Sequence, residues 1–127
     1  MPYPLAGAVS YTQYSAGIAY WMFRLILHNR KLLLDLVIKY PETKSSVEAF
    51  VLEIRSATWK SPNELKSRYP SASIIGSGCV VFNINGNKYR AVAHINYSKS
   101  IMSIRWAESH KEYDKLDIKG TLCLKQN

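Results

Sequence analysis

The sequence predicts an α+β domain in which a helix hairpin packs on one face of a twisted, mostly antiparallel sheet. Three observations carry that expectation. Two stretches with helical spacing of apolar residues occupy the first half of the chain. A run of strands with alternating side chains occupies the second half. An Asn-Gly pair, the strongest short-range hairpin signal, divides two of those strands. Helices segregated from an antiparallel sheet are the mark of the α+β class.

The elements follow in order. Met22-Phe23-Arg24-Leu25-Ile26-Leu27 suggests a first strand. His28-Asn29 opens a leucine-rich helix that runs to about Tyr40 and is stopped by Pro41, which has no N–H to donate. From Thr43, Val47, Phe50, Val51 and Ile54 recur at i, i+3, i+4 and i+7 and predict an amphipathic helix. Lys44, Glu48 and Arg55 fall off its apolar stripe. Ser61-Pro62-Asn63-Glu64 is a capping-box pattern with proline at the first helical position, so a short third helix runs towards Tyr69-Pro70.

Cys79–Ile84 and Lys88–Tyr97 flank Asn85-Gly86 as paired strands, and Ile101–Trp106 follows through Tyr97-Ser98-Lys99-Ser100. A two-residue loop would set Asn83 across from Lys88 and Phe82 across from Tyr89. The four-residue loop sets Asn96 opposite Ile101, Ala93 opposite Ile104 and His94 opposite Ser103. Side chains alternate faces along a strand, so these registers sort the residues. One face collects Val80, Phe82, Tyr89, Ala91, Ala93, Ile95, Met102, Ile104 and Trp106, and the helices should cover it. The other collects Asn83, Lys88, Arg90, His94, Asn96, Ser103 and Arg105, with only Val81, Val92 and Ile101 clearly apolar. A half-exposed sheet is polar outside in any case. The sign of the charge adds something: no Asp or Glu from these strands offsets Lys88, Arg90 and Arg105, and like charges on neighbouring strands repel unless an anion bridges them.

Composition points the same way. The chain has 127 residues, 47% hydrophobic and 20% charged, with 17 Lys and Arg against 9 Asp and Glu. That leaves a net charge of +8 and a pI near 9.6. One domain of this size and sign suits a polyanion or an acidic protein partner. Cys79 and Cys123 show no metal spacing and fit a reduced cytosolic protein better than a disulfide scaffold. No P-loop, zinc cluster or dinucleotide fingerprint occurs, so no cofactor and no metal is expected. Residues 1–21 carry no charged side chain; without a basic start or a continuous apolar run they predict neither signal peptide nor membrane span. An upstream start codon with Met22 as the true start, a packed extension and an adhesive tail are the readings of that segment, and the first is preferred. The expected organisation is an extension over 1–21, a domain over 22–118 and a tail over 119–127.

Several motifs together resemble one family. Asn83-Ile84-Asn85-Gly86-Asn87-Lys88-Tyr89-Arg90, Ile95-Asn96-Tyr97 and His110-Lys111-Glu112-Tyr113-Asp114 are similar to the HigB toxins of the RelE-like group. Ala57-Thr58-Trp59-Lys60-Ser61-Pro62 and Tyr69-Pro70-Ser71-Ala72 match the same pattern, although the family often has Phe at the first position of the latter. The resemblance covers about Met22 to Ile118. It implies a RelE-like fold, cleavage of messenger RNA, commonly in the ribosomal decoding site, and neutralisation by a cognate HigA-type antitoxin in a bacterial cytoplasm. The chain departs from the pattern at His94, where Lys is common, and at Glu108-Ser109, where Gly-Thr is common.

The chemistry can be argued from the residue types. Cutting RNA without a metal sets the ribose 2′-OH against its own 3′-phosphate. That step needs a base, charge stabilisation for the phosphorane, and an acid for the leaving 5′-oxygen. A positioned acid or base contributes about 10²–10⁴-fold. His110 is the first candidate for proton transfer, because imidazole titrates nearest physiological pH. Asp114, four residues on, would orient it if the segment is helical. Tyr113 would donate a hydrogen bond or carry a proton, and Arg90 would clamp phosphate with its guanidinium fork. Lys88, His94, Arg105 and Asn83 would support RNA binding, with Tyr97 as a base-stacking platform.

Plainer roles stand beside these. His110 and Asp114 suit a helix-surface pair, Tyr113 a pin for the C-terminal segment, and Trp59, Trp106 and His28 structural positions. Lys60, Lys66 and Arg68 suit solvated charges. Two other functions fit the same surface: a non-catalytic RNA- or ribosome-binding module, and a gyrase-directed inhibitor on the same fold.

Overall fold

Helix ends obey the local sequence. In the computed structural model, which describes residues 25–116, strand β1 (Ile26–His28) leads through Asn29 into helix α1 (Lys31–Lys39). Asn29 takes a left-handed φ of 66° and donates its side-chain amide to Ile104 O at 2.8 Å. Pro41 cannot continue α1; the chain turns through a 3-10 segment (Pro41–Thr43) held by the Thr43 hydroxyl, which donates to Tyr40 O at 2.7 Å. Helix α2 (Lys44–Arg55) buries Val47, Phe50 and Ile54, the stripe expected from the spacing. Helix α3 (Pro62–Arg68) starts at Ser61, whose hydroxyl accepts from Glu64 N at 3.3 Å while Glu64 Oε1 accepts from Lys60 N at 3.0 Å. Two backbone donors at the helix start are thereby satisfied.

The remaining elements are β2 (Ser73–Gly76), β3 (Cys79–Ile84), β4 (Tyr89–Asn96), β5 (Ile101–Ser109) and the short helix α4 (His110–Tyr113). The sheet order is β1-β5-β4-β3-β2, antiparallel except that β1 runs parallel to β5. A parallel pair needs a long crossover, and the chain that supplies it carries the helices. They cover one face of the sheet, where Leu33, Leu36, Phe50, Ile54, Phe82, Ala91, Ala93, Met102 and Ile104 share the main core. Edge-on rings fill its middle: Phe50 and Phe82 centroids lie 5.0 Å apart, Tyr69 and Phe82 5.4 Å. This is the α+β, RelE-like arrangement that the sequence suggested. Trp59 is a core residue, 8% exposed.

Several expectations need correction. The loop between β3 and β4 spans Asn85 to Lys88, four residues rather than two, so Ile84 faces Tyr89, Asn83 faces Arg90 and Phe82 faces Ala91. A shift of two preserves side-chain parity, so the predicted division into faces survives on both strands, while Lys88 moves out of the strand into the turn. The β4–β5 pairing matches at Asn96↔Ile101, His94↔Ser103 and Ala93↔Ile104. Beyond that point a bulge leaves Arg105 without a partner and sets Val92 across from Trp106. An inserted residue reverses the alternation that follows it. Trp106, expected in the core, therefore packs on the other face with Cys79, Val81 and Val92.

Strand β2 was not expected; it joins β3 through Ser77-Gly78, both at positive φ (54° and 83°), as two-residue hairpin turns require. Cys79 is held in a disulfide, against the expectation of reduced thiols, and Cys123 lies outside the described residues. So do residues 22–24 of the expected first strand, the extension over 1–21 and the tail over 119–127.

Candidate active site

The last strand delivers the chemistry-bearing segment to one end of the sheet. Ser109 closes β5 in extended conformation, and its hydroxyl accepts from Glu112 N at 3.2 Å, capping α4. The His110 N–H donates to Lys88 O at 2.8 Å, which ties the start of α4 to the β3–β4 turn. One helical turn later, Asp114 Oδ2 stands 3.1 Å from His110 Nδ1. The i, i+4 pairing proposed from the sequence therefore exists because the segment is helical. Asp114 engages Nδ1 of the ring and not Nε2.

Arg90 lies on β4 across from Asn83 and Glu108. Its Nη1 donates to Asn87 O at 3.2 Å, and its guanidinium carbon sits 5.5 Å from the centroid of the Tyr113 ring. Tyr113 also meets Trp106, with ring centroids 6.1 Å apart. Trp106 in turn rests on the apolar ridge of Val81 and Val92. No carboxylate among the described residues lies within ion-pair distance of Arg90. A cation ordered by a carbonyl and a ring, with no ion-pair partner among the described residues, is suited to a phosphate.

Arg90, His110, Tyr113 and Asp114 thus gather where β4 begins and β5 ends. Lys88 and Asn83 border the cluster, Lys88 through its carbonyl bond to α4 and Asn83 by register. His94 stands four residues along β4 from Arg90, about 13 Å away at strand rise, with its Nε2 side against Gly78. Arg105 occupies the bulge. Tyr97, the expected base-stacking platform, is half-buried: its ring packs against the main core, and its hydroxyl is buried without a hydrogen-bond partner among the described residues. Burial pushes its phenol pKa above the ordinary value.

Sequence reasoning passed over two parts of the site. Trp106 reads as a core residue in the sequence, because a bulge has no reliable one-dimensional signal. Glu108 received no role, yet its Oε1 accepts from Ser109 N and Tyr40 Oη, each at 2.8 Å, and its Oε2 pairs with Lys39 Nζ at 2.5 Å. Partial burial raises its carboxyl pKa, but the donors from Lys39, Ser109 and Tyr40 outweigh that and hold it below the ordinary value. Among the described residues no cluster of three or more His, Cys, Asp or Glu could hold a metal ion, and no helix is long and apolar enough to cross a membrane.

A helix-backed, mostly antiparallel sheet of this order is consistent with the RelE-like class. Residues 43–116 match the HigB toxin family, described as the RelE-like toxic component of a toxin–antitoxin system. The chain is 34% identical over 90 residues to the mRNA interferase toxin HigB of Escherichia coli (strain K12), covering 69% of this chain and 86% of the relative. The mRNA interferase HigB of Shigella flexneri aligns to the same extent. A further mRNA interferase HigB, from Escherichia coli O6:H1, is 25% identical over 80 residues. The chain belongs to the HigB toxin family.

Proposed function

We propose that this toxin arrests growth by cutting messenger RNA on the translating ribosome, as a metal-independent endoribonuclease. The observation that carries the reading is the convergence of Arg90, Tyr113 and the His110–Asp114 pair at one end of a basic sheet. In the reaction, the 2′-oxygen attacks the adjacent phosphorus, the P–O2′ bond forms and the P–O5′ bond breaks, leaving a 2′,3′-cyclic phosphate and a 5′-hydroxyl. Arg90 receives the charge that builds on the phosphoryl oxygens. His110 exchanges the proton through Nε2, with Asp114 holding the ring. Tyr113 orders the Arg90 guanidinium and presents its hydroxyl as a second proton carrier. Lys88, Asn83, His94 and Arg105 steer the RNA backbone across the sheet.

The partners follow from this role. A HigA-type antitoxin with acidic surface would associate rapidly with a chain of net charge +8. The place of action is the bacterial cytoplasm, where ribosomes and messenger RNA meet.

The test is induced expression of the chain in bacterial cells with transcriptome-wide mapping of RNA 5′ ends. Cuts within translated regions should appear with the parent and vanish with His110→Ala and Arg90→Ala, both still folded and antitoxin-binding. Growth arrest that persists in both variants would reject catalysis and favour a ribosome-binding or gyrase-directed inhibitor.

A further inference from the structure

We infer that Glu108, with Lys39 and Tyr40, is a positioning clamp that fixes the catalytic helix α4 against the end of α1. The inference rests on the catalytic reading of His110 and Arg90 and goes beyond it by naming what holds them in register.

The contacts converge on one joint. Lys39 ends α1 and Tyr40 caps it, immediately before Pro41 turns the chain. From this corner Lys39 Nζ reaches Glu108 Oε2 at 2.5 Å and Tyr40 Oη donates to Glu108 Oε1 at 2.8 Å. The same Oε1 accepts the N–H of Ser109, the residue whose hydroxyl caps α4. Glu108 therefore links the α1 corner to the backbone from which His110 departs.

A second strand end is held by the same corner. The Tyr40 and Tyr89 rings lie 4.8 Å apart, and the Tyr89 hydroxyl donates to Glu42 in the 3-10 segment. Tyr89 is the register partner of Ser109 and the neighbour of Arg90. Thus one turn between α1 and α2 grips both strands that deliver catalytic side chains, β4 through Tyr89 and β5 through Glu108. Without the clamp, a four-residue helix at the end of a strand would be held by its Ser109 cap, the Lys88 carbonyl and the Tyr113 ring contacts. Proton transfer tolerates little misplacement: an error of about 1 Å can cost 10²-fold.

The oxygens of Glu108 separate the contributions. Glu108→Gln keeps an Oε1 acceptor for Ser109 N and Tyr40 Oη but turns a donor towards Lys39. Glu108→Ala removes all three contacts, and Tyr40→Phe removes a single hydroxyl. Single-turnover cleavage of one messenger RNA in a purified translation system, at saturating and subsaturating toxin, gives the maximal rate and the half-saturating concentration separately.

Glu108→Ala should lose about 10-fold or more in maximal rate, with half-saturation within about threefold of the parent. Glu108→Gln should recover part of that loss, and Tyr40→Phe should show a smaller one. A parent-like maximal rate for folded Glu108→Ala, or a change in half-saturation alone, overturns the clamp. If Glu108→Ala fails to fold, Tyr40→Phe decides: a parent-like rate overturns the inference. His110→Ala run alongside separates the two claims. If it still cleaves, the catalytic reading fails and the clamp with it; if it is dead while the Glu108 variants are parent-like, only the clamp fails.

Discussion

Gly78 and Gly86 both sit in hairpin turns at positive φ (83° and 71°), but their surroundings differ. A Cβ on Gly86 would meet nothing within 4 Å. A Cβ on Gly78 would lie 2.7 Å from Ile95 O and 2.7 Å from His94 Nε2. The histidine can swing away; the Ile95 carbonyl belongs to β4 and cannot. Nor can Gly78 retreat easily, since its own carbonyl accepts from Ile95 N at 2.8 Å. Gly86→Ala should therefore cost only the left-handed conformation, about 1–2 kcal/mol. Gly78→Ala adds the steric shift of a strand, about 1–3 kcal/mol more. Urea unfolding of both variants, followed by far-UV circular dichroism, measures the difference directly. A domain of this size should lose about 8 °C or more in Tm for Gly78→Ala, at roughly 4–8 °C per kcal/mol. Equal losses for the two variants, or a Gly78→Ala protein within about 0.5 kcal/mol of the parent, would refute the close approach of turn and strand.

Other consequences can be checked alongside. Arg90→Ala should reduce cleavage by about 10²–10³-fold, and Arg90→Lys should recover only part of it, because an ammonium keeps the charge but not the fork; cleavage rates on one transcript decide this. Ser61→Ala should cost about 1 kcal/mol by losing the α3 cap, read as a lower urea midpoint with unchanged slope. Glu108 has a lowered carboxyl pKa, so its stabilising contribution is complete above the ordinary value of 4.5 and is lost as pH falls through the lowered folded value. The parent should then lose stability below pH 4.5 more steeply than Glu108→Gln, measured by urea midpoints across that range. Trp106→Ala should weaken cleavage as well as stability, since Tyr113 would lose the ring it leans on; an unchanged rate in the folded protein would remove Trp106 from the site.

Much of this molecule was legible in one dimension because local rules govern it. Pro41 stops a helix by chemistry alone, Ser61 and Glu64 cap one by spacing alone, and the i, i+3, i+7 stripe of Val47, Phe50 and Ile54 names its buried face without reference to any neighbour. The His110–Asp114 pair also needed only a helical turn between its members. Alternation on β3 and β4 sorted the two faces correctly even though the loop length was misjudged, because an error of two residues preserves parity.

What the tertiary structure decided lies where distant segments meet. The bulge at Arg105 changes the face of Trp106, since the register of β5 answers to β4 and not to its own alternation. Tyr97 lays its ring partly against the core, a contact that its place at a loop entry does not reveal. Glu108 acquires donors at Lys39 and Tyr40, 69 and 68 residues earlier, through contacts that depend on how α1 is docked. Periodicity, caps and charge are properties of neighbouring residues and were available to the chain by itself. Register, clamps and the meeting of Arg90 with Tyr113 depend on how the sheet pairs and packs, and the fold alone determines them.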